Sequence, residues 1–271
     1  MEKIVSDWAM KISMLASGST GNVTYIETPK KKFLVDVGLS GKKVEQLMQQ
    51  INRQLCDVDA IFVTHEHKDH IHGVGVLARK YGMDIYANEK TWEAMENQLG
   101  KIDIAQKHIF RMGDTLTLGD IDIFSYGVSH DAIAPQFYSF HKDNKSFVML
   151  TDTGYVSQRL KDELQGATAY LMESNHDVEL LRAGSYPWST KQRILGDKGH
   201  LSNEDGALAM SEMITKDTKR IYLGHLSQEN NDKIVARQTC ELILKEKDLG
   251  VNHDFYVFDT HPDKPTELFT L

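Results

Sequence analysis

Hydrophobic residues along this 271-residue chain fall into short runs, separated by polar segments rich in Gly, Asn, Asp and His. Period-two alternation predicts strands over residues 10–16, 23–27 and 32–37. Ser40 then precedes a stretch in which Val44, Leu47, Met48 and Ile51 recur at helical spacing, so it is expected to cap a helix that runs to residue 51. The apolar run 59–63 reads as a buried strand. Helices over 74–81 and 89–99 bracket a short strand at 84–87. Residues 108–111, 115–118 and 121–126 read as the beginning of a second sheet. A hairpin follows, with strands 137–141 and 147–151 joined across Lys142-Asp143-Asn144-Lys145. Strands at 169–172 and 220–223 alternate with helices over 205–214 and 231–246. Two β-rich halves with helices outside predict an α/β protein, a four-layer αβ/βα sandwich. No Pro-rich linker, low-complexity tract or short-period repeat interrupts it. Residues 10–271 therefore read as one domain behind a loose extension over 1–9.

The polar punctuation carries chemistry at Thr64-His65-Glu66-His67-Lys68-Asp69-His70, directly after the 59–63 run. In extended backbone His65 and His67 point the same way, and a turn brings Asp69 and His70 back beside them. Three imidazoles and one carboxylate within six residues can hold two first-row metal ions, given a few more ligands. Three further apolar runs each end in such a donor. Residues 121–129 lead into His130, 147–151 into Asp152 and 220–224 into His225. Ligands at strand ends rest on rigid supports, which precise metal geometry favours.

Composition adjusts this picture only a little. At 41% hydrophobic the chain can bury a substantial core, and no run approaches the ~20 apolar residues of a membrane span. The first residues lack the apolar segment of a signal peptide, so a cytoplasmic protein is expected. Cys56 and Cys240 lie outside every metal motif and are expected to be reduced, half-buried fillers. A net charge of −8 counts mildly against a protein dominated by nucleic-acid binding. Part of that charge sits in the site, where divalent cations would neutralise it, so a local basic groove stays open.

Three further stretches are candidates. The loop Ser17-Gly18-Ser19-Thr20-Gly21-Asn22, with Ser19 and Asn22, either cradles a phosphate or is a tight connection without a ligand. Met172-Glu173-Ser174-Asn175-His176 ends a strand, and Gly199-His200-Leu201-Ser202 precedes a helix. Between them lies a segment that interleaves Arg182, Lys191, Arg193 and Lys198 with Tyr186 and Trp188. That composition suits either a surface tracking a nucleic-acid strand or a solvated lid with its aromatics packed inward.

The histidine box and the strand-end donors resemble the metallo-β-lactamase superfamily from about Lys11 to the C-terminus. The resemblance implies that His65, His67 and His130 hold one metal, that Asp69, His70 and His225 hold a second, and that Asp152 bridges them. Asp36 would support the histidine loop by hydrogen bonding. The ions, Zn²⁺ or Mn²⁺ with Fe also suited to nitrogen and oxygen donors, would share a hydroxide as nucleophile. Glu173 and His200 resemble the paired Glu and His of the ribonuclease Z-like branch. There His200 would protonate the leaving oxygen or contact phosphate, with Glu173 behind it and His176 a weaker candidate for the same work. The bland alternative is that His200 merely caps the following helix.

At finer grain the 17–22 loop, Val63-Thr64-His65-Glu66-His67, Thr151-Asp152-Thr153-Gly154 and Leu223-Gly224-His225-Leu226-Ser227 together are similar to the WalJ/YycJ family. That resemblance implies a DNA exonuclease working 5′ to 3′, with DNA as partner and repair or replication proteins as further possible partners. Spacing alone implies only a dinuclear hydrolase. A small-molecule phosphodiesterase, acting on cyclic or other nucleotides, would use the same metals and His200. A metal-stabilised regulatory binding module is the non-enzymatic alternative, and it has no need of a bridging carboxylate. No long Gly/Lys-rich arm of the kind a ribonuclease Z uses to hold tRNA is present.

Overall fold

The structure is a computed structural model that describes residues 9–271; of the expected extension over 1–9, residues 1–8 lie outside the described residues. Two seven-stranded mixed sheets face each other. The first contains β1 (Lys11–Ala16), β2 (Val23–Glu27), β3 (Lys32–Val35), β4 (Ala60–Phe62), β5 (Asp84–Ala87) and β6 (Lys107–Ile109). The second contains β7 (Thr115–Leu118), β8 (Ile121–Gly127), β9 (Gln136–Lys142), β10 (Lys145–Leu150), β11 (Ala169–Glu173), β12 (Arg220–Gly224) and β13 (Tyr256–Asp259). A last strand, β14 (Phe269–Thr270), returns to the first sheet and pairs antiparallel with β1. Helices α1 (Gly41–Gln50), α2 (Lys68–Ile71), α3 (Val74–Tyr81) and α4 (Glu89–Leu99) belong to the first half. The second half carries α5 (Gln158–Leu164), α6 (Val178–Ala183), α7 (Trp188–Ile194), α8 (Asn203–Met213) and α9 (Lys233–Glu246).

Strand periodicity explains the layering. In β3 and β4, Phe33, Val35, Ala60 and Phe62 face the space between the sheets, while Leu34, Ile61 and Val63 face outward to α1, α3 and α4. Phe62 is the hub of the inner layer. It stacks on Tyr86 at 4.9 Å between ring centres and meets Phe33, Phe110, Tyr138 and Phe140 edge-on. Truncating such a ring to Ala costs about 3–5 kcal/mol. A third cluster, including Leu150, Tyr170 and Met210, packs α8 and α9 on the outer face of the second sheet. The expected four-layer αβ/βα sandwich is what the chain forms.

Three differences from the sequence reading have physical causes. The third strand stops at Val35 because Asp36 takes a left-handed conformation (φ 56°), which ends the ladder. The strand near 108 closes the first sheet, pairing parallel with β5, and only β7 begins the second. Of the two cysteines, Cys240 is buried and Cys56 is exposed. Among the described residues no helix is long and apolar enough to cross a membrane.

Candidate metal centre

Strand ends at one edge of both sheets deliver the donors. Beyond β4 the chain stays extended through Thr64-His65-Glu66-His67, and α2 folds back at once, carrying Asp69 and His70. His65 and His70 have ring centres 4.1 Å apart, and His65 lies 5.1 Å from His130. His130 follows β8, Asp152 follows β10 and His225 follows β12. Asp152 occupies the middle: its two oxygens lie 3.4 Å from His70 Nε2, 3.2 Å from His225 Nε2 and 3.9 Å from His130 Nε2. Asp69 Oδ2 lies 3.5 Å from His70 Nε2 and 3.6 Å from His225 Nε2. The donors of His65, His67 and His130 form one compact group, and those of Asp69, His70 and His225 another.

Hydrogen bonds turn the rings of His65, His70 and His130 toward the centre. Asp36 Oδ2 accepts from His70 Nδ1 at 2.8 Å, and the same carboxylate takes the Thr64 N–H and hydroxyl, each at 2.8 Å. Thr64 Oγ1 lies 3.0 Å from His65 Nδ1. Gly199 O receives His130 Nδ1 at 3.1 Å. With Nδ1 so engaged, Nε2 is the nitrogen left to face inward, the usual arrangement around metal-binding imidazoles. His65 Nε2, His225 Nε2 and Asp152 Oδ2 are buried with no hydrogen-bond partner. Orphaned donors converging on one point would be costly in a site without cations. The donor set therefore fits divalent metal.

Charge divides between the two groups. Burial pushes His65 well below its usual pKa, helped by His70, His130 and His67, and burial also lowers His130. Burial opposes protonation of His225 too, but Asp152, Asp69 and Glu173 outweigh it and hold it up at about 10. His70 is raised for the same reason, against its burial, by Asp152, Asp36 and Asp69. Burial favours the neutral acid in Asp69, yet His70 and His225 hold it far below the carboxylate range. Burial thus favours neutral rings at His65 and His130, whereas the other group carries the ionised carboxylate of Asp69.

Glu173, fully buried at the end of β11, accepts from His200 Nδ1 at 2.7 Å, from Thr153 N at 2.9 Å and from Leu201 N at 3.3 Å. With its oxygens taken, Glu173 orients His200, which lines a cavity of about 280 Å³ above the donors. The cap of α8 is Ser202, whose hydroxyl accepts from Asp205 N at 3.0 Å, so His200 is not the cap. His176 is wholly buried with neither ring nitrogen bonded; burial lowers it to about 4, and it does not line the cavity.

The 182–198 segment forms α6, a turn and α7. Tyr186 and Arg193 line the cavity, as does Ser19 across from them. Lys191 does not reach it: its buried ammonium donates to Arg182 O and Gly184 O, both at 2.7 Å, so its proposed phosphate contact is corrected to a structural one. Arg182 pairs with Glu179 on its own helix, and Trp188 and Lys198 are exposed outside the cavity lining. Asn22 closes its loop, bonding Gly18 N and O, and sets its amide 3.2 Å from His70 Nε2. Sequence reasoning missed Asp131, which lies 3.3 Å from His130 Nε2 and holds Arg193 at 2.6 Å. It also missed Ser17, which anchors His225 N at 2.8 Å. Asp36, Asp152 and His225 all adopt left-handed backbone (φ 55–58°), a cost of about 1 kcal/mol or more each, and no sequence pattern announces it.

Fold and site define a protein of the metallo-β-lactamase class. The model of the beta-lactamase superfamily domain matches residues 31–226. The metallo-beta-lactamase fold protein YhfI from Bacillus subtilis superposes with a TM-score of 0.70 at 15% identity, covering 95% of this chain and 99% of that one. Sequence relatives narrow the assignment. The exodeoxyribonuclease WalJ of Streptococcus pneumoniae is 64% identical over 266 residues, spanning 97% of this chain and 99% of that protein. The exodeoxyribonuclease YycJ of Bacillus anthracis is 56% identical over 259 residues, 96% and 98% of the two chains. The chain belongs to the WalJ/YycJ family of the metallo-β-lactamase superfamily.

Proposed function

We propose that this protein is a metal-dependent exodeoxyribonuclease that degrades DNA from the 5′ end and works in the cytoplasm as the single domain 10–271. The observation that carries the reading is the convergence of seven nitrogen and oxygen donors beneath a cavity lined by a carboxylate-oriented histidine. The names of the full-length relatives support the reaction class. His65, His67 and His130 would hold one ion, Asp69, His70 and His225 a second, with Asp152 between them. Zn²⁺ or Mn²⁺, and Fe, suit these donors. Bound there, divalent cations supply an acidified water as nucleophile and neutralise charge on the phosphoryl oxygens.

The chain's own residues do the rest. Asp36 and Thr64 fix the histidine rings. Glu173, held ionised, fixes the Nδ1 of His200 by a hydrogen bond, so that Nε2 is the nitrogen left to deliver a proton to the departing alkoxide. Tyr186, Arg193 and Ser19 are placed to touch the strand around the reacting phosphate. The test is digestion of end-labelled linear duplex by Mn²⁺- or Zn²⁺-loaded protein. Progressive loss from the 5′ end, abolished in Asp69→Ala, is the expected result. Turnover of bis-p-nitrophenyl phosphate with DNA left intact would replace this reading with a small-molecule phosphodiesterase.

A further inference from the structure

We propose that the rim made by Ser19, Thr20, Lys68 and His72 is a second phosphate subsite, which holds a phosphate of the bound DNA strand next to the phosphodiester at the metal centre. The inference rests on the nuclease reading above and names where its substrate continues.

An open cleft of about 450 Å³ is lined by Ser19, Thr20, Gly38, Lys68, Asp69 and His72. Ser19 and Asp69 also line the cavity above the metal donors, so the two spaces adjoin across these residues. The rim is tied to the ligand loop: Asn22 N donates to Asp69 O and Gly38 N to Asn22 O, each at 2.9 Å. Gly38 packs so closely on that loop that a Cβ would fall 1.7 Å from Asp69 O. A phosphate held here therefore has a fixed relation to the metal ligands.

The chemistry of the rim is that of an anion site. The N–H groups of Ser19 and Thr20 bond no acceptor among the described residues, and both hydroxyls are exposed. Successive free N–H groups in a turn draw anions. The Lys68 ammonium is exposed and joins no ion pair among the described residues, and the His72 ring is exposed beside it. Arg182 and Arg193, by contrast, are paired with Glu179 and Asp131, and Lys191 is spent on backbone carbonyls. The one acid in the cleft is Asp69, which faces the metal side. Two amides, two hydroxyls, an ammonium and an imidazole match the oxygens of a phosphate, either a terminal one or an internal diester.

The test pairs Lys68→Ala and His72→Ala in one protein, with its melting temperature and metal content compared with wild type. Metal-loaded protein is titrated by fluorescence anisotropy with a phosphorothioate-linked duplex that resists cleavage, over a range of salt. The expected result is a Kd about tenfold weaker and a slope of log Kd against log salt reduced by about 1. Duplexes with 5′-phosphate and 5′-hydroxyl ends separate the two sources. A wild-type preference for the phosphorylated end that disappears in the variant assigns a terminal phosphate. Equal weakening on both ends assigns an internal diester. Unchanged Kd and salt slope overturn the subsite, as does a parallel loss of turnover on DNA and on bis-p-nitrophenyl phosphate, which marks a damaged metal centre. Wild-type protein that leaves DNA uncut removes the nuclease reading itself, whereas normal cutting with normal binding by the variant removes the subsite alone.

Discussion

The two rims of the metal centre use their basic residues in opposite ways. On the 178–200 side three of the cations are engaged internally: Arg182 pairs with Glu179, Lys191 pins the turn between α6 and α7, and Arg193 pins α7 to Asp131 beside His130, while Lys198 is exposed outside the cavity lining. Gly199 completes that attachment by receiving His130 Nδ1. These contacts tie α7 and the 199–200 turn to His130. On the 17–22 side, among the described residues, Lys68 joins no ion pair, the His72 ring is exposed, and the Ser19 and Thr20 amides bond no acceptor. Composition left the first rim open as either a strand-tracking surface or a solvated lid; the unpaired polar groups the proposed subsite calls on lie on the second. A basic residue contributes to binding only if the fold has not already satisfied it.

Several substitutions sharpen or break this contrast. The largest effect belongs to the shared floor: Asp152→Ala is expected to abolish turnover of both DNA and bis-p-nitrophenyl phosphate and to lower bound metal measured by elemental analysis. Retained metal and activity would remove Asp152 from the centre. Next comes Glu173→Gln, which leaves His200 and His225 without their carboxylate and should lower kcat on DNA roughly 10- to 100-fold. A purely structural Glu173 would instead lower Tm and leave kcat intact.

His176 gives the pH dependence. Its folded pKa of about 4 lies below the unfolded value, so the unfolded chain binds more protons between roughly pH 6.5 and 4. Stability should fall as pH drops through that window, by up to about 3 kcal/mol, and His176→Leu should flatten this acid limb in urea titrations. An unchanged limb would assign the acid sensitivity elsewhere. Lys191→Met leaves two carbonyls unsatisfied and should cost about 1–3 kcal/mol, a Tm drop of several degrees, with KM for DNA changed far less than in the Lys68 and His72 variant. Arg193→Ala is the smallest, a few-fold rise in KM, because Asp131 already competes for the guanidinium.

The same contrast explains what was legible in the sequence. The 65–70 box is local, and His130, Asp152 and His225 each end an apolar run, so strand-end logic found them across long separations. The order of strands and helices, two β-rich halves with helices outside, announced the sandwich. Helices α6 and α7 have only six and seven residues, too few turns for a period to show among their polar positions. The sheet that 107–109 joins depends on its partner β5, not on its own residues. Asp131 and Ser17 act through tertiary contacts that no spacing encodes, and the left-handed backbone at Asp36, Asp152 and His225 is imposed by the assembled site.

The most direct test of the account compares His200→Ala with wild type on two substrates. An alkoxide leaving DNA needs a proton, whereas p-nitrophenolate departs unassisted. The account predicts a loss of about 10²–10⁴ in kcat on DNA and less than about tenfold on bis-p-nitrophenyl phosphate, with metal content unchanged. Equal losses on the two substrates would contradict it and make His200 a part of the metal centre's structure instead of its acid.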